Sequence, residues 1–153
     1  MIHLKRMSAE DAVQHKHSLC VLLSNTYSIN FPETTCDHCY TEEKIQGLIQ
    51  YLQEDQAVVF GAFGDTSLIG FVWGFERTIL CETRMHINEI VVSDAYRGQG
   101  IGQQLLGAIS DEAKQRGIGC IDLFCSIPNV SAIRFYQKHG FEMERYQLRL
   151  KLT

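Results

Sequence analysis

Residues 92–106 read Val92-Ser-Asp-Ala-Tyr-Arg-Gly-Gln-Gly-Ile-Gly-Gln-Gln-Leu-Leu106, and this stretch decides the fold. The apolar run that ends at Val92 is typical of a buried strand, and the residues from Ile101 onward have the spacing of an amphipathic helix. Between them stand three alternating glycines, which let the backbone approach a ligand without Cβ atoms in the way. Free N–H groups at the start of a helix bind anions, most naturally a phosphate. The stretch therefore predicts a strand, a phosphate-binding loop and a helix.

Two familiar phosphate loops do not fit this stretch. The dinucleotide fingerprint, counted from Gly98, needs a glycine where this sequence has Gln103. The nucleotide-triphosphate loop needs Gly-Lys-Ser or Gly-Lys-Thr, and the stretch contains neither. A plain tight turn between strand and helix remains the alternative interpretation.

The composition of the chain limits the class of protein. Its 153 residues suit one domain, 1–153, and 45% hydrophobic with 21% charged residues exclude a disordered chain. The formal charge of −4 makes nucleic acid an unexpected partner. No apolar stretch approaches the roughly 20 residues of a membrane-spanning helix, and the start turns polar too soon for a secretory signal. We expect a cytoplasmic protein that binds neither nucleic acid nor membrane.

The strand patterns come first as a meander and then alternate with helices. Strands are predicted at Ile2–Arg6, Ala57–Phe63, Leu68–Phe75, Met85–Val92, Ile118–Cys125 and, half-buried, at Tyr146–Leu152. Helices are predicted after the capping Ser8, from Thr41, over Ile101–Arg116 and after Asn129, with a loop at Ser28–Tyr40. This order predicts an α/β (α+β) fold with one mixed, mostly antiparallel sheet flanked by helices.

The six cysteines form no compact framework, and without an export signal we expect free thiols rather than disulfides. Cys36-Asp-His-Cys39 is a single CxxC pair. A structural zinc site needs four ligands and usually a second pair, which does not follow, so no metal is expected.

Two motifs together resemble a known family. The pattern Arg97-x-x-Gly100-x-Gly102 resembles the pyrophosphate-binding signature of the GNAT superfamily of acetyl-CoA-dependent N-acetyltransferases. Downstream, Asn129-Val-Ser-Ala-Ile-Arg-Phe-Tyr-Gln-Lys-His-Gly-Phe141 is similar to the second hallmark of that family. The resemblance implies the single-domain GNAT fold and acetyl-CoA as cosubstrate. It further implies direct transfer of the acetyl group, in a ternary complex, to a primary amine of a small molecule or a peptide.

The resemblance also implies roles for individual residues. The loop would hold the coenzyme A pyrophosphate, the strand edge before it would pair with the pantetheine amides, and one asparagine would contact the pantetheine arm. The loop residues are Arg97, Gly98, Gln99, Gly100, Ile101 and Gly102. The strand-edge residues are Ile90, Val91 and Val92, and the asparagine is Asn129. Tyr136 would act as general acid near the thioester sulfur. The alternatives are a surface charge for Arg97, a helix N-cap for Asn129 and a core position for Tyr136.

The general base is open on the sequence alone. Glu89 lies on the central strand, where family members often place an acidic base or a substrate-binding carboxylate. His86 is the rival, because its intrinsic pKa is better suited to accept a proton near neutral pH. Transfer of the proton directly to water is the third possibility. The acidic first half of the chain favours a cationic acceptor.

Two further alternatives concern the whole protein. A non-catalytic acyl-CoA-binding regulatory module would keep the glycine loop while Tyr136 and Glu89 became dispensable. In addition, only twelve residues follow Phe141, whereas many relatives have two longer terminal strands that wall the acceptor site. Either the terminal hairpin is very short or a second subunit completes the wall, which makes a homodimer possible.

Overall fold

The computed structural model describes residues 1–34 and 38–153, apart from the side chain of His38. The described strands are β1 (Ile2–Arg6), β2 (Val58–Gly64), β3 (Ser67–Ile79), β4 (Glu82–Val92) and β5 (Ile121–Leu123). The described helices are α1 (Ala9–Gln14), α2 (Lys16–Asn30), α3 (His38–Gln53), α4 (Ile101–Gln115) and α5 (Val130–Lys138). None of these helices is long and apolar enough to cross a membrane. The predicted CxxC pair lies partly outside the described residues.

The five strands form one sheet in the order β1-β2-β3-β4-β5. Neighbouring strands from β1 to β4 are antiparallel, and β5 is parallel to β4. The β2–β3 hairpin turns at Asp65, whose φ of 56° is accessible to aspartate in a tight turn. The mixed, mostly antiparallel sheet predicted from the sequence is therefore confirmed.

Helices cover both faces of the sheet. On one face, Leu23 of α2 and Ile45 of α3 are fully buried with Phe71 of β3. On the other face, Leu105 and Ile109 of α4 are fully buried in a second cluster. Because successive residues of a strand point to opposite faces, the residues of β4 are divided between these two layers.

The first helix differs from its prediction at one residue. The predicted capping role of Ser8 is confirmed, and Ser8 caps α1 through a capping box with Asp11. At His15 the backbone leaves the helical region, with φ −102° and ψ 17°, so the predicted single helix is two helices, α1 and α2. Further along, α2 continues to Asn30 and α3 begins at His38, which shortens the predicted loop at both ends.

The C-terminal segment corrects the sequence analysis. Residues 142–153 form no strand, and the side chains predicted to be half-buried are exposed to solvent. The exposed fractions are 80% for Tyr146, 91% for Leu148, 82% for Leu150 and 88% for Leu152. The alternation of residues predicts which face of a strand is apolar, but a strand forms only where another strand can pair with it. Strand β5 is also shorter than predicted: it covers three residues, Ile121–Leu123, whereas the prediction was Ile118–Cys125.

Candidate functional site

Strands β4 and β5, the last two strands at one side of the sheet, separate after a short stretch of pairing. Their pairing ends with Ile87 opposite Leu123. At the same level β4 contains a bulge, because Trp73 and Gly74 of β3 pair with Glu89 and Ile87 and leave Asn88 as the extra residue. Beyond the bulge, β4 pairs with β3 on one side, while on the other side none of the described strands pairs with it. The predicted pantetheine-binding edge, Ile90–Val92, lies here.

An open cleft lies where the two strands diverge. Residues of α2, β4, the segment after β5 and α5 line it. Four of the predicted site residues line it together, namely Glu89, Ile90, Asn129 and Tyr136. The structure therefore brings together residues that lie up to 47 positions apart in the sequence.

The glycine loop connects β4 to α4. Gly98 and Gly100 have φ values of 75° and 79°, in the left-handed region where glycine is favoured. No atom lies within 4 Å of the position that a Cβ would take at either glycine, so the backbone is open to a ligand. The first N–H groups of α4 have no partner within the helix. The loop can therefore hold a pyrophosphate through its backbone.

Arg97 lies in the same loop, but its side chain is engaged locally. Its guanidinium forms an ion pair of 2.9 Å with Asp94 and is about half exposed. The positive charge of Arg97 is therefore partly compensated within the loop by Asp94.

Asn129 has the capping role that the sequence analysis gave as its alternative. Its side-chain oxygen accepts a hydrogen bond from the N–H of Ala132 at 3.2 Å. Its amide nitrogen donates to the side-chain oxygen of Asn30 at 2.7 Å, which ties α5 to α2 across the cleft. Asn30 was not predicted as a site residue, because nothing near it in the sequence marks it.

The ring of Tyr136 packs between aromatic neighbours, with centroids 5.4 Å from both Phe135 and Phe141. Burial raises the pKa of the Tyr136 phenol well above its usual value, and the nearby Cys125 and Glu89 raise it further. The phenol therefore keeps its proton at neutral pH. This is the state that a proton donor needs.

Glu89 is 9% exposed, and one of its oxygens has two partners. Oε1 accepts hydrogen bonds from the Tyr27 hydroxyl at 2.9 Å and from the Lys44 ammonium at 2.8 Å. Neither partner could be predicted from the sequence, because they precede Glu89 by 62 and 45 positions. No local spacing links residues so far apart.

His86 is buried beside the cleft without lining it. Its Nδ1 lies 2.7 Å from Asp122, a carboxylate that Arg77 also contacts at 2.6 Å. Burial lowers the pKa of His86, so the ring is neutral at pH 7 and donates its Nδ1 proton to Asp122. Burial opposes ionisation of Asp122, but hydrogen bonds from Arg77 and His86 outweigh it and lower the pKa of that carboxyl.

Cys125 also lines the cleft, although no cysteine lies within either sequence motif. Burial raises the pKa of this thiol, which reduces the thiolate needed for a covalent acetyl intermediate. Within residues 1–34 and 38–153, no three potential ligands are grouped so that they could hold a metal ion.

The sequence places the chain in a family. It matches the sequence model of the Acetyltransferase (GNAT) family over residues 21–141, and the chain therefore belongs to that family. The GNAT family uses acetyl-CoA, and the protein is an acyltransferase enzyme. The resemblance inferred from the two motifs is confirmed.

Two relatives match nearly the full chain. The Uncharacterized N-acetyltransferase YhdJ of Bacillus subtilis is 24% identical over 97% of this chain and 98% of its own length. The Spermidine N(1)-acetyltransferase of Thermoplasma acidophilum is 27% identical over 94% of this chain and 89% of its own length. Among solved structures, a predicted acetyltransferase with acetyl-CoA from Clostridium acetobutylicum has a TM-score of 0.78 at 20% identity, covering 99% and 97% of the two chains. This last match confirms the fold.

Proposed function

We propose that this protein transfers the acetyl group of acetyl-CoA to a primary amine by direct attack in a ternary complex. The observation that carries the proposal is the cleft in which the unpaired edge of β4, Glu89 and Tyr136 meet. The glycine loop follows directly on that edge, so one ligand can contact the loop and the cleft together. The acceptor is proposed to be a small-molecule or peptide amine.

The residues present fit coenzyme A. Backbone N–H groups of residues 97–102 would hold the pyrophosphate, since the loop is open at Gly98 and Gly100. The backbone of Ile90, Val91 and Val92 would pair with the pantetheine amides as an added strand would. Asn129 lines the cleft and is held there by its hydrogen bonds to Asn30 and to the first turn of α5, so it would contact the pantetheine arm from a fixed position.

The chemistry forms one bond and breaks one. The neutral amine nitrogen attacks the thioester carbonyl carbon, a C–N bond forms and the C–S bond breaks. Tyr136, which keeps its proton at neutral pH, gives a proton to the departing thiolate. The proton lost by the amine goes to Glu89, because Glu89 lines the cleft and His86 does not. N–H groups near Val91 and Val92 would stabilise the negative oxygen of the attacked carbonyl.

The test is a screen of amines with acetyl-CoA. Binding of acetyl-CoA is measured by thermal shift, and thioester consumption is measured with polyamines, aminoglycosides, amino acids and peptides with free N-termini. We expect binding of acetyl-CoA and turnover with at least one class of amine. Binding without turnover for any amine would favour a non-catalytic acyl-CoA-binding module. Absence of acetyl-CoA binding would contradict both functions.

We also propose that the protein is a homodimer. Tyr146–Leu152 contains four exposed apolar residues, and they alternate with the polar residues Gln147, Arg149 and Lys151. In an extended conformation the apolar side chains would all lie on one face. Residues 141–153 contain no glycine, proline, asparagine or aspartate, so no turn is favoured that would fold this segment back on itself. Glu144 fixes its start through two 2.8 Å hydrogen bonds from Arg84. A second copy can supply the missing strand partner.

Light scattering after gel filtration tests the homodimer. We expect a dimer for the wild type and a monomer for Leu148→Lys combined with Leu150→Lys. Leu80→Lys, which changes an equally exposed leucine at the β3–β4 turn, should leave the dimer intact. A monomeric wild type at high micromolar concentration would contradict the proposal.

A further inference from the structure

We infer that Lys44 determines which amines the cleft accepts, by cancelling the charge of Glu89 and so disfavouring polycations. This inference rests on the proposed function, because it concerns the acceptor of the same cleft. Lys44 belongs to α3, outside both sequence motifs. Its ammonium is held by side chains of α2, β3 and β4.

The surroundings of Lys44 form a binding site for an ammonium group. Its Nζ lies 2.8 Å from Oε1 of Glu89, 5.2 Å from the ring centroid of Tyr27 and 5.9 Å from that of Trp73. A carboxylate together with aromatic faces is the arrangement that stabilises a cation. The Lys44 side chain is only 22% exposed, so its charge is held close to Glu89 and is weakly screened by solvent.

The charge of the cleft follows from its lining. Glu89 is the one carboxylate among the described residues that line the cleft, and no lysine, arginine or histidine lines it. Cys125 and Tyr136 are uncharged at neutral pH, because burial raises the pKa of both. The negative charge of Glu89 is balanced by the positive charge of Lys44, which is hydrogen-bonded to it, so the described lining of the cleft together with Lys44 carries no net charge.

A neighbouring ion pair, Arg77 with Asp122, does not change this balance. Arg77 lies 5.3 Å from the ring centroid of Phe124, which lines the cleft, and it is paired with Asp122. An amine that brings one positive charge can still hydrogen-bond to Glu89. Among the described residues that line the cleft, a second or third positive charge on the same molecule finds no further carboxylate, and Lys44 repels it. The acceptor is therefore an amine whose remainder is neutral or anionic.

Binding of two probe amines tests this role directly. Spermidine and n-butylamine are titrated into wild type and Lys44→Gln, which keeps a hydrogen-bond donor but removes the charge. Because the electrostatic gain grows with the charge of the ligand, we expect about tenfold tighter binding of spermidine and at most about threefold tighter binding of n-butylamine. Lys114→Gln on α4 removes the same charge from an exposed site, where Lys114 lies 3.8 Å from Asp111, and should change neither affinity.

Further variants separate charge from position. Lys44→Arg keeps the charge and should keep the wild-type ratio of the two affinities. Tyr27→Phe removes a neutral donor from the same oxygen of Glu89 and should also keep the ratio. Should Lys44→Gln fail to fold, Lys44→Gln combined with Glu89→Gln removes both charges and must bind the two amines in the wild-type ratio.

Three results in folded Lys44→Gln would overturn the inference. They are wild-type affinity for both amines, loss of binding for both amines, and an equal gain in affinity for both amines. The last result would mean that Lys44 blocks the site sterically. Failure of the proposed function is distinct, since it appears as absence of turnover with every amine and does not alter these binding ratios.

Discussion

The glycine loop and the surroundings of Glu89 form two halves of the candidate site in different ways. The loop is a contiguous stretch whose proposed ligand-binding groups are backbone N–H groups, and two of its glycines have positive φ. Glu89 is a side chain held by Tyr27 and Lys44, which lie 62 and 45 positions before it. A backbone site can be recognised in a short motif, whereas a side-chain site depends on how distant helices pack.

The two halves should therefore respond differently to mutation. Any side chain at the loop glycines changes the shape of the backbone surface. At Glu89, a substitution acts through charge and hydrogen bonds, and its effect depends on the partners that remain.

The largest effect is expected at the loop. Gly100→Asp or Gly102→Asp places bulk and negative charge against the pyrophosphate, and we expect loss of detectable acetyl-CoA binding by calorimetry. Gly107→Asp makes the same change at an exposed position of α4 and should leave the affinity unchanged. Wild-type affinity in a folded Gly100→Asp protein would show that the loop is not the coenzyme site.

A smaller but large effect is expected at the proton donor. Tyr136→Phe keeps the packing against Phe135 and Phe141 but removes the hydroxyl. Turnover should fall by about 10²–10⁴-fold while acetyl-CoA affinity changes little. Tyr146→Phe, at an exposed tyrosine, is the control. Turnover within about twofold of wild type would make Tyr136 a packing residue.

Glu89→Gln tests the side-chain half. The variant keeps the size of the residue and removes its charge and basicity, so we expect turnover at neutral pH to fall by about 10²-fold, the lower end of the range for general acid–base catalysis. The rate should recover partly at higher pH, where the free amine is abundant. A raised KM with unchanged kcat would instead show that Glu89 only binds the amine. No change in the pH profile or in KM would remove Glu89 from the site.

The smallest effect concerns stability at the neighbouring His86. Burial lowers the pKa of His86 in the folded state, so the unfolded chain binds a proton more readily. Stability is then fully present above the unfolded pKa of about 6.5 and falls as the pH decreases below it, by at most about 1.4 kcal/mol per pH unit for one proton. Urea denaturation at pH 7, 6 and 5 measures this slope.

The matched variants for this measurement are His86→Gln and His17→Gln. His86→Gln should show a smaller slope than wild type. His17→Gln, at an exposed position of α2, should keep the wild-type slope. Equal slopes in wild type and His86→Gln would show that other groups determine the acid sensitivity.

Most of the fold was predictable because its signals are local. The capping box at Ser8, the turn at Asp65 and the apolar spacing of α4 each depend on neighbours a few residues away. Tyr146–Leu152 shows where this approach fails. Its alternation is regular, but whether a strand forms depends on an available partner, which the local sequence does not specify.

The candidate site likewise has a part that local sequence signals predict and a part that depends on contacts between distant elements. The loop, the edge of β4, Asn129 and Tyr136 belong to contiguous motifs and were predicted together. The hydrogen bonds of Glu89 to Lys44 and of His86 to Asp122 join separate elements, so no spacing rule could find them. The bulge at Asn88 is another case, because it becomes visible only when the register against β3 is known.

The edge of β4 that β5 leaves unpaired has a consequence for the stability of the folded protein. The described pairing of β4 with β5 ends at Ile87 and Leu123, so on the proposed assignment the pantetheine of acetyl-CoA would pair with the edge of β4 beyond that point. On the proposed assignment, acetyl-CoA at a hundred times its Kd adds about 2.7 kcal/mol to the free energy of unfolding. The fraction of unfolded chain, and with it susceptibility to proteolysis, would then follow the supply of acetyl-CoA. The stability of the protein would in this way report the concentration of its own substrate.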